Sequence, residues 1–239
     1  MSKFVVLDIV GTIVGYDKLI DALDQQLGDK LRAENVKPSL LVNLWIEAAE
    51  REYTYLSITN RYIEFDKLFA SLFYRMLWLA GIQEPRAFAN DDDIKKITEG
   101  YFALEPRPDA KECFEKLRAA GFQVRGLTAG DYDRVLGYFN KAGIDMPREH
   151  LISCDSFGVG KPDLKAYSST YDELKGADEL WFAAAHMWDV SAAKQVGFKS
   201  AYCSVLEKES CSDIFGKMDV MSDNLSEMAD KIVQAASSK

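Results

Sequence analysis

Five short apolar runs alternate with helical patterns along most of this chain. Strands that alternate with helices favour a parallel sheet with helices on both faces. The sequence therefore predicts an α/β fold. The runs are Lys3–Leu7, Phe122–Leu127, His150–Cys154, Glu179–Ala184 and Lys199–Cys203, with a weaker sixth at Asp219–Met221. The helical stretches between and after them are Ala110–Ala120, Asp131–Ala142, Asp163–Glu173, Val190–Val196 and Asn224–Ala236.

One block breaks this alternation, because no convincing strand lies between Thr12 and about Gly100. Helical patterns fill the block instead, at Lys18–Glu34, Ser39–Tyr55, Tyr62–Ala80 and Asp92–Tyr101. The third pattern carries an apolar stripe at helical spacing, which is typical of a helix-bundle core. The stripe consists of Phe65, Leu68, Phe69, Leu72, Phe73 and Met76.

The position of this helical block predicts its role. Loops at the carboxyl ends of parallel strands carry the ligand site in such folds, so an insertion after the first strand is expected to cap that site. We expect a catalytic core of residues 1–14 and 103–239, with an inserted four-helix cap of residues 15–102. Gly15 and the segment 105–108 are candidate hinges.

Composition narrows the class of partner. The 239 residues carry 29 Lys and Arg against 38 Asp and Glu, a net charge of −9, which disfavours binding to nucleic acid or anionic lipid. No apolar run approaches the length of a membrane span. The chain shows no signal peptide, and its four cysteines have no C-x-x-C spacing. We therefore expect a cytoplasmic protein with reduced thiols.

Polar residues stand at the ends of the first four predicted strands. Asp8 ends the first strand, Thr128 ends the second, Lys161 follows the third, and Asp189 follows the fourth. A carboxylate at a strand end can act as a nucleophile, and a nearby ammonium would keep it ionised. Each residue alone fits an ordinary role as a turn residue, helix cap or solvated lysine. Four of them in order favour a catalytic site.

These residues bear a resemblance to the motifs of the haloacid dehalogenase superfamily of hydrolases. The segment from Asp8 to Thr12 resembles the first motif, Thr128 the second, Lys161 with the following proline the third, and Asp189 the fourth. The resemblance covers nearly the whole chain and is strongest to the L-2-haloacid dehalogenase branch. It implies a Rossmann-like core with a four-helix cap. It also implies an aspartate nucleophile that displaces halide and is regenerated by water, giving a 2-hydroxy acid.

The resemblance also assigns roles to individual residues. Asp8 is the expected nucleophile, with Lys161, Thr12, Thr128 and Asp189 as its catalytic partners. Lys161 would orient Asp8, the two threonines would donate hydroxyl hydrogen bonds, and Asp189 would organise Lys161 and the hydrolytic water. The expected substrate-binding residues are Val10, Phe65, Tyr167, His186 and Trp188.

The chain departs from the phosphatases of the superfamily at two positions. Val10 stands where they carry a general acid, whose loss typically costs about 10²–10⁴-fold in rate. Ala185 stands where they carry an acidic residue for Mg²⁺, an ion that usually needs one or two carboxylates. A halide needs no proton to leave. We therefore rank 2-haloacid hydrolysis first, and a Mg²⁺-dependent phosphatase for good leaving groups second.

The chain also departs from the dehalogenase branch. Ile46 or Glu47, depending on the alignment, replaces a cap arginine, Ala129 replaces an asparagine, and His186 replaces another asparagine. These losses leave open a third alternative, a binding protein without turnover. We predict a small anionic substrate, no metal ligand, no cofactor unless the phosphatase alternative holds, and a possible homodimer.

Overall fold

The computed structural model describes residues 2–237, so Met1, Ser238 and Lys239 lie outside the described residues. Within that range the main sheet has six strands, and its five neighbouring strand pairs are all parallel. The predicted α/β fold is confirmed. In sheet order the strands are β5 (Leu151–Ser153), β4 (Phe122–Thr128), β1 (Lys3–Asp8), β6 (Glu179–Ala184), β7 (Lys199–Cys203) and β8 (Val220–Ser222).

The first strand lies at the centre of the sheet. β1 pairs with β4 and β6, and its residues Val5, Val6 and Leu7 have no exposed surface. A continuous apolar run is what a parallel strand covered on both faces requires. Because Asp8 pairs with Leu127 at the last rung, the carboxyl ends of β1 and β4 meet at one edge.

Helices connect these strands, as the alternation predicts. Two helix starts differ from the predicted ranges by more than one residue: the helix after β6 begins at Met187, and the one after the third predicted strand begins at Lys165. The helices of this part of the chain are α7 (Ala110–Ala119), α8 (Tyr132–Lys141), α9 (Lys165–Leu174), α10 (Met187–Val196), α11 (Ser212–Phe215) and α12 (Leu225–Ser237).

The chain divides into two compact units. One contains the residues up to Val14 and those from Pro106 onward, and the other spans Gly15–Glu105. Two short strands, β2 (Val14–Gly15) and β3 (Glu105–Pro106), pair with each other where the chain passes between the units. The return boundary lies three residues after the predicted one, at Glu105 instead of residue 102.

The second unit is helical. Its third predicted helix, Tyr62–Ala80, is interrupted at Leu72, whose N–H bonds to the Phe69 carbonyl only three residues back. That tighter turn ends one helix and starts the next. The helices are α1 (Asp17–Ala33), α2 (Pro38–Ile58), α3 (Phe65–Ser71), α4 (Phe73–Leu79), the unpredicted α5 (Pro85–Phe88) and α6 (Asp91–Phe102).

Aromatic side chains fill the core of the helical unit. The Trp45 ring stacks on Phe69 with centroids 3.9 Å apart, and its indole N–H donates to the Phe69 carbonyl at 2.8 Å. Phe65 lies in the same cluster, in ring contact with Tyr53, Phe69 and Tyr101. The apolar stripe read from the sequence is therefore packing surface within this unit.

None of the helices within residues 2–237 combines the length and apolarity needed to cross a bilayer.

Candidate active site

A tight turn after β1 presents Asp8. Gly11 has a φ of +94°, a conformation that favours glycine, and its N–H bonds to the Val14 carbonyl at 2.8 Å. The N–H groups of Ile13 and Val14 both bond to the Ile9 carbonyl. This turn fixes the backbone directly after the Asp8 carboxylate, which is only 6% exposed.

Lys161 lies between two buried carboxylates. Its ammonium donates to Asp8 Oδ1 at 2.8 Å and to Asp189 Oδ2 at 2.9 Å. Lys161 comes from the segment before α9, and Asp189 from the first turn of α10. The structure thus brings together three of the predicted catalytic residues, although they are separated by up to 181 positions in the sequence.

The other oxygen of Asp8 is held by Thr12. The Thr12 hydroxyl donates to Asp8 Oδ2 at 2.5 Å and accepts from the backbone N–H of Ala185 at 2.7 Å. This chain of two hydrogen bonds joins the turn after β1 to the end of β6. It fixes the orientation of the Asp8 carboxylate and the position of the residue that precedes His186.

Tyr167 contacts Asp189. Its hydroxyl donates to Asp189 Oδ1, and neither side chain is exposed. Both Asp189 oxygens are therefore engaged, one by Tyr167 and one by Lys161. This contact uses the hydroxyl hydrogen of Tyr167 and orients Asp189, and the predicted contact of Tyr167 with substrate stays a prediction.

The pKa values of the two carboxylates, Asp8 and Asp189, are shifted in opposite directions. Burial acts to raise the pKa of Asp8, but the charge of Lys161 and the hydrogen bond and charge of His186 hold it well below its ordinary value. Burial raises the pKa of Asp189 despite the charge of Lys161, and the charge of Asp8 adds to that increase. Asp8 is thus held in its ionised form, as a nucleophile requires.

The ammonium also stays charged. Burial acts to lower the pKa of Lys161, but the charges of Asp189 and Asp8 raise it above its ordinary value. The pKa of Tyr167 lies well above its ordinary value because of burial and the neighbouring Asp189 charge. Lys161 therefore supplies a positive charge to both carboxylates, and Tyr167 remains a hydrogen-bond donor.

Three predicted substrate-binding residues lie beside this cluster in the same unit. The His186 Nδ1 atom is 3.6 Å from Asp8 Oδ2, and the His186 ring is 5.0 Å from the ring of Trp188. Trp188 and Val10 are partly exposed, whereas His186 is buried. Their contact with substrate stays a prediction, as does that of Phe65, which the structure places in the aromatic core of the helical unit.

Thr128 has a visible local partner. Its hydroxyl oxygen accepts the backbone N–H of Gly130 at 3.0 Å, and the Ser153 hydroxyl donates to the Gly130 carbonyl at 2.8 Å. These bonds shape the turn after β4. The Thr128 oxygen accepts one hydrogen bond in this turn, and the predicted donation of its hydroxyl hydrogen to substrate is compatible with that bond.

Two residues that support the site were missed as site residues. Arg107 donates from Nε to the Thr12 carbonyl at 2.9 Å and from Nη2 to the Gly11 carbonyl at 2.8 Å. Glu207 accepts the N–H of Met187, the first residue of α10, at 3.0 Å. Arg107 lies in a predicted hinge segment, which was its only signal. Glu207 lies in a loop with no motif.

The substituted positions have clear environments. Ile46 is buried within the helical unit and Glu47 is exposed. Ala185 is fully buried and Ala129 partly exposed. Within residues 2–237, no three His, Cys, Asp or Glu side chains form a group that could hold a metal ion.

Comparison with known proteins places this site in a family. The chain is 25% identical over 198 residues to haloacetate dehalogenase H-2 of Moraxella sp. (strain B), covering 82% of each chain. It is 22% identical over 233 residues to an (S)-2-haloacid dehalogenase of Pseudomonas putida, covering 97% of this chain and 96% of the relative.

Solved structures share the fold. The L-2-haloacid dehalogenase of Xanthobacter autotrophicus superposes with a TM-score of 0.76 at 20% identity, covering 96% of this chain and 98% of that one. A structure of the same enzyme with chloropropionic acid covalently bound gives a TM-score of 0.75. The family model for haloacid dehalogenase-like hydrolases matches residues 3–197. This protein therefore belongs to the haloacid dehalogenase-like hydrolases.

Proposed function

We propose that this protein hydrolyses the carbon–halogen bond of a small 2-haloacid to give the 2-hydroxy acid, with Asp8 as nucleophile. The observation that carries the proposal is the state of the Asp8 carboxylate. It is buried, contacts Lys161 at 2.8 Å and Thr12 at 2.5 Å, and has a lowered pKa. Such a carboxylate is ionised, fixed in orientation and shielded from bulk water.

The reaction has two steps. An Asp8 oxygen attacks the carbon that bears the halogen, the carbon–halogen electron pair leaves with the halide, and an ester forms. Water then attacks the Asp8 carboxyl carbon, and the ester bond breaks to release the 2-hydroxy acid. One oxygen of the regenerated carboxylate comes from water. The relative with covalently bound chloropropionic acid supports an ester at this step.

Neighbouring residues have separate tasks in this scheme. Lys161 and Thr12 orient the nucleophile, and Asp189 with Tyr167 holds Lys161 in place. Thr128 supplies a hydroxyl for the substrate carboxylate. The partly exposed Val10 and Trp188 are assigned to substrate binding, and so is Phe65.

The phosphatase alternative has weaker support. Val10 provides no general acid, and the fully buried Ala185 provides no oxygen ligand. The two carboxylates that remain already share the ammonium of Lys161. This donor set fits Mg²⁺ poorly, because that ion demands several oxygen ligands in octahedral geometry.

The cysteines support a proposal for the cellular compartment of the protein. Within the described residues, none of Cys113, Cys154, Cys203 and Cys211 forms a disulfide, which supports a reducing compartment, and we assign the protein to the cytoplasm. A homodimer remains part of the proposal and is tested by sedimentation.

One assay tests the proposed function. We expect halide release from L-2-chloropropionate with no loss on addition of EDTA, and little phosphate release from p-nitrophenyl phosphate. Asp8→Asn should abolish halide release because the amide is a poor nucleophile. Single turnover in ¹⁸O-labelled water should place the label in the Asp8 carboxylate, measured by mass spectrometry of the peptide.

The opposing results are distinct. Phosphate release that EDTA abolishes, without halide release, would select the phosphatase. No turnover of either substrate, with tight binding of a carboxylic acid, would select the binding protein. Label in the product alone would exclude the ester intermediate.

A further inference from the structure

We propose that His186 is the general base for hydrolysis of the Asp8 ester, and that the charge on Asp8 controls when it can act. The inference rests on the proposed function, because it concerns the second step of that reaction. It begins from one contact, the 3.6 Å between His186 Nδ1 and Asp8 Oδ2. Since the carboxyl carbon is one bond from Oδ2, a water beside Nδ1 lies within reach of the atom it must attack.

The ring is fixed in this position. His186 directly precedes α10 and is 5% exposed. Its preceding residue, Ala185, is tied through Thr12 to the same Asp8 oxygen, and its following residue, Met187, is tied to Glu207. Both backbone neighbours of His186 are therefore anchored, which is the preorganisation that a general base requires.

The charged groups around the ring favour a change of state during turnover. In the free enzyme the Asp8 carboxylate faces the imidazole, and the interaction of the two lowers the pKa of Asp8. The same interaction favours the imidazolium. Lys161 lies on the opposite Asp8 oxygen, Asp189 is three residues along the helix, and Glu207 lies at the helix start.

Formation of the ester removes the negative charge of Asp8, which stabilises the proton on the His186 imidazole. An alkylated Asp8 is neutral, so the imidazolium loses its anionic partner and releases its proton to solvent. The neutral imidazole then accepts a proton from the attacking water. When the ester collapses, the imidazolium gives that proton to the departing alkoxide. The new Asp8 carboxylic acid then passes its proton to the imidazole, which restores both the carboxylate and the imidazolium. The one proton lost to solvent is the net acid released with the halide. Atoms and protons balance over the cycle.

No other described side chain around Asp8 is as well suited. Asp189 has one oxygen bound by Lys161 and the other by Tyr167, and Lys161 itself is a charged donor. Ala184 and Ala185 offer no proton acceptor on their side chains. His186 therefore is the side chain beside Asp8 Oδ2 that can accept a proton at neutral pH.

The test separates ester formation from ester hydrolysis. His186→Asn keeps a polar group near the Nδ1 position but removes the base. We expect it to form the Asp8 ester from L-2-chloropropionate at close to the wild-type rate and to hydrolyse it about 10²–10⁴ times more slowly. Intact-protein mass spectrometry after rapid mixing would then find the propionate adduct accumulated. A variant that forms the ester is folded at the site.

The pH profile gives a second readout in the unaltered protein. The wild-type ester should hydrolyse more slowly as pH falls, because the base becomes protonated, and this dependence should be absent from His186→Asn. Met187→Leu, a volume-conserving change at the adjacent buried position, is the matched control and should hydrolyse the ester like the wild type. His186→Gln replaces the asparagine variant if circular dichroism finds the latter unfolded.

Each result has one meaning. Hydrolysis of the ester by the histidine variants at the wild-type rate would overturn the assignment. So would their failure to form an ester that the wild type forms, because His186 would then act in the first step. Absence of halide release by the wild type, together with absence of ¹⁸O label in Asp8, would instead refute the proposed function itself.

Discussion

The two units of this protein have interiors of opposite character. The core unit buries a cluster of ionisable side chains at its sheet edge, with Lys161 between Asp8 and Asp189. The helical unit buries stacked rings, with Trp45 on Phe69 at its centre. The first interior depends on charge balance and the second on contact area. Changes that remove a charge and changes that remove a ring should therefore have different signatures.

Removal of the shared ammonium should have the largest effect. Lys161→Met keeps much of the side-chain length but leaves two buried carboxylates without a counter-charge. We expect halide release to fall by about 10²–10³-fold or more, and the free energy of unfolding to fall by about 3–5 kcal/mol. Halide release and urea unfolding are the measurements.

A second substitution tests whether charge imbalance is the cause. Lys161→Met with Asp189→Asn should recover part of the lost stability without recovering activity, because one buried charge has been removed. Stability of Lys161→Met equal to that of the wild type would refute the charge-balance description of the core unit.

Loss of the central ring should come next. Trp45→Ala removes a fully buried side chain that stacks on Phe69, and we expect about 3–5 kcal/mol lower free energy of unfolding for the helical unit. Trp45→Phe keeps a ring and loses the hydrogen bond to the Phe69 carbonyl, for about 1 kcal/mol. Urea unfolding followed by circular dichroism measures both. Equal losses in the two variants would contradict a core stabilised by contact area.

The smallest expected effects are opposite pH dependences of the two carboxylates. The pKa of Asp8 is lowered from 3.8, so wild type should gain stability relative to Asp8→Asn as pH rises through the acid range, with the gain complete above about 4 to 5. The pKa of Asp189 is raised from 3.8, so wild type should lose stability relative to Asp189→Asn as pH rises above that value.

Urea unfolding from pH 2.5 to 7 measures both slopes. Trp45→Phe is the control, because its difference from wild type involves no ionisable group and should not vary with pH. Slopes of the same sign for the two carboxylates would refute the opposite pKa shifts of Asp8 and Asp189.

The sequence predicted the core unit closely because its elements are locally encoded. The strands Glu179–Ala184 and Lys199–Cys203 have the predicted bounds, since both are continuous apolar runs. The interruption at Leu72 was not predicted, because apolar periodicity continues through it and the tighter turn uses ordinary helix-forming residues. The short helix Pro85–Phe88 is too brief to have a periodicity.

The candidate site was predictable in part. Asp8, Lys161 and Asp189 were identified from strand ends and from resemblance, and the structure places both carboxylates in contact with Lys161. The hydrogen bond of Tyr167 to Asp189 was not predicted, because a sequence does not say which way a hydroxyl points. Arg107 and Glu207 contact backbone atoms, and such contacts leave no pattern in the side chains around them.

Arg107 holds the turn after β1, which follows Asp8, through contacts that lie within the core unit. The chain leaves the core unit after Val14 and returns to it at Pro106. The guanidinium of Arg107, the next residue, donates to the carbonyls of Gly11 and Thr12. These two hydrogen bonds join the segment that leaves the core unit to the segment that returns to it. Because these bonds lie within the core unit, evolution could exchange the intervening segment Gly15–Glu105 while the Asp8 carboxylate kept its place.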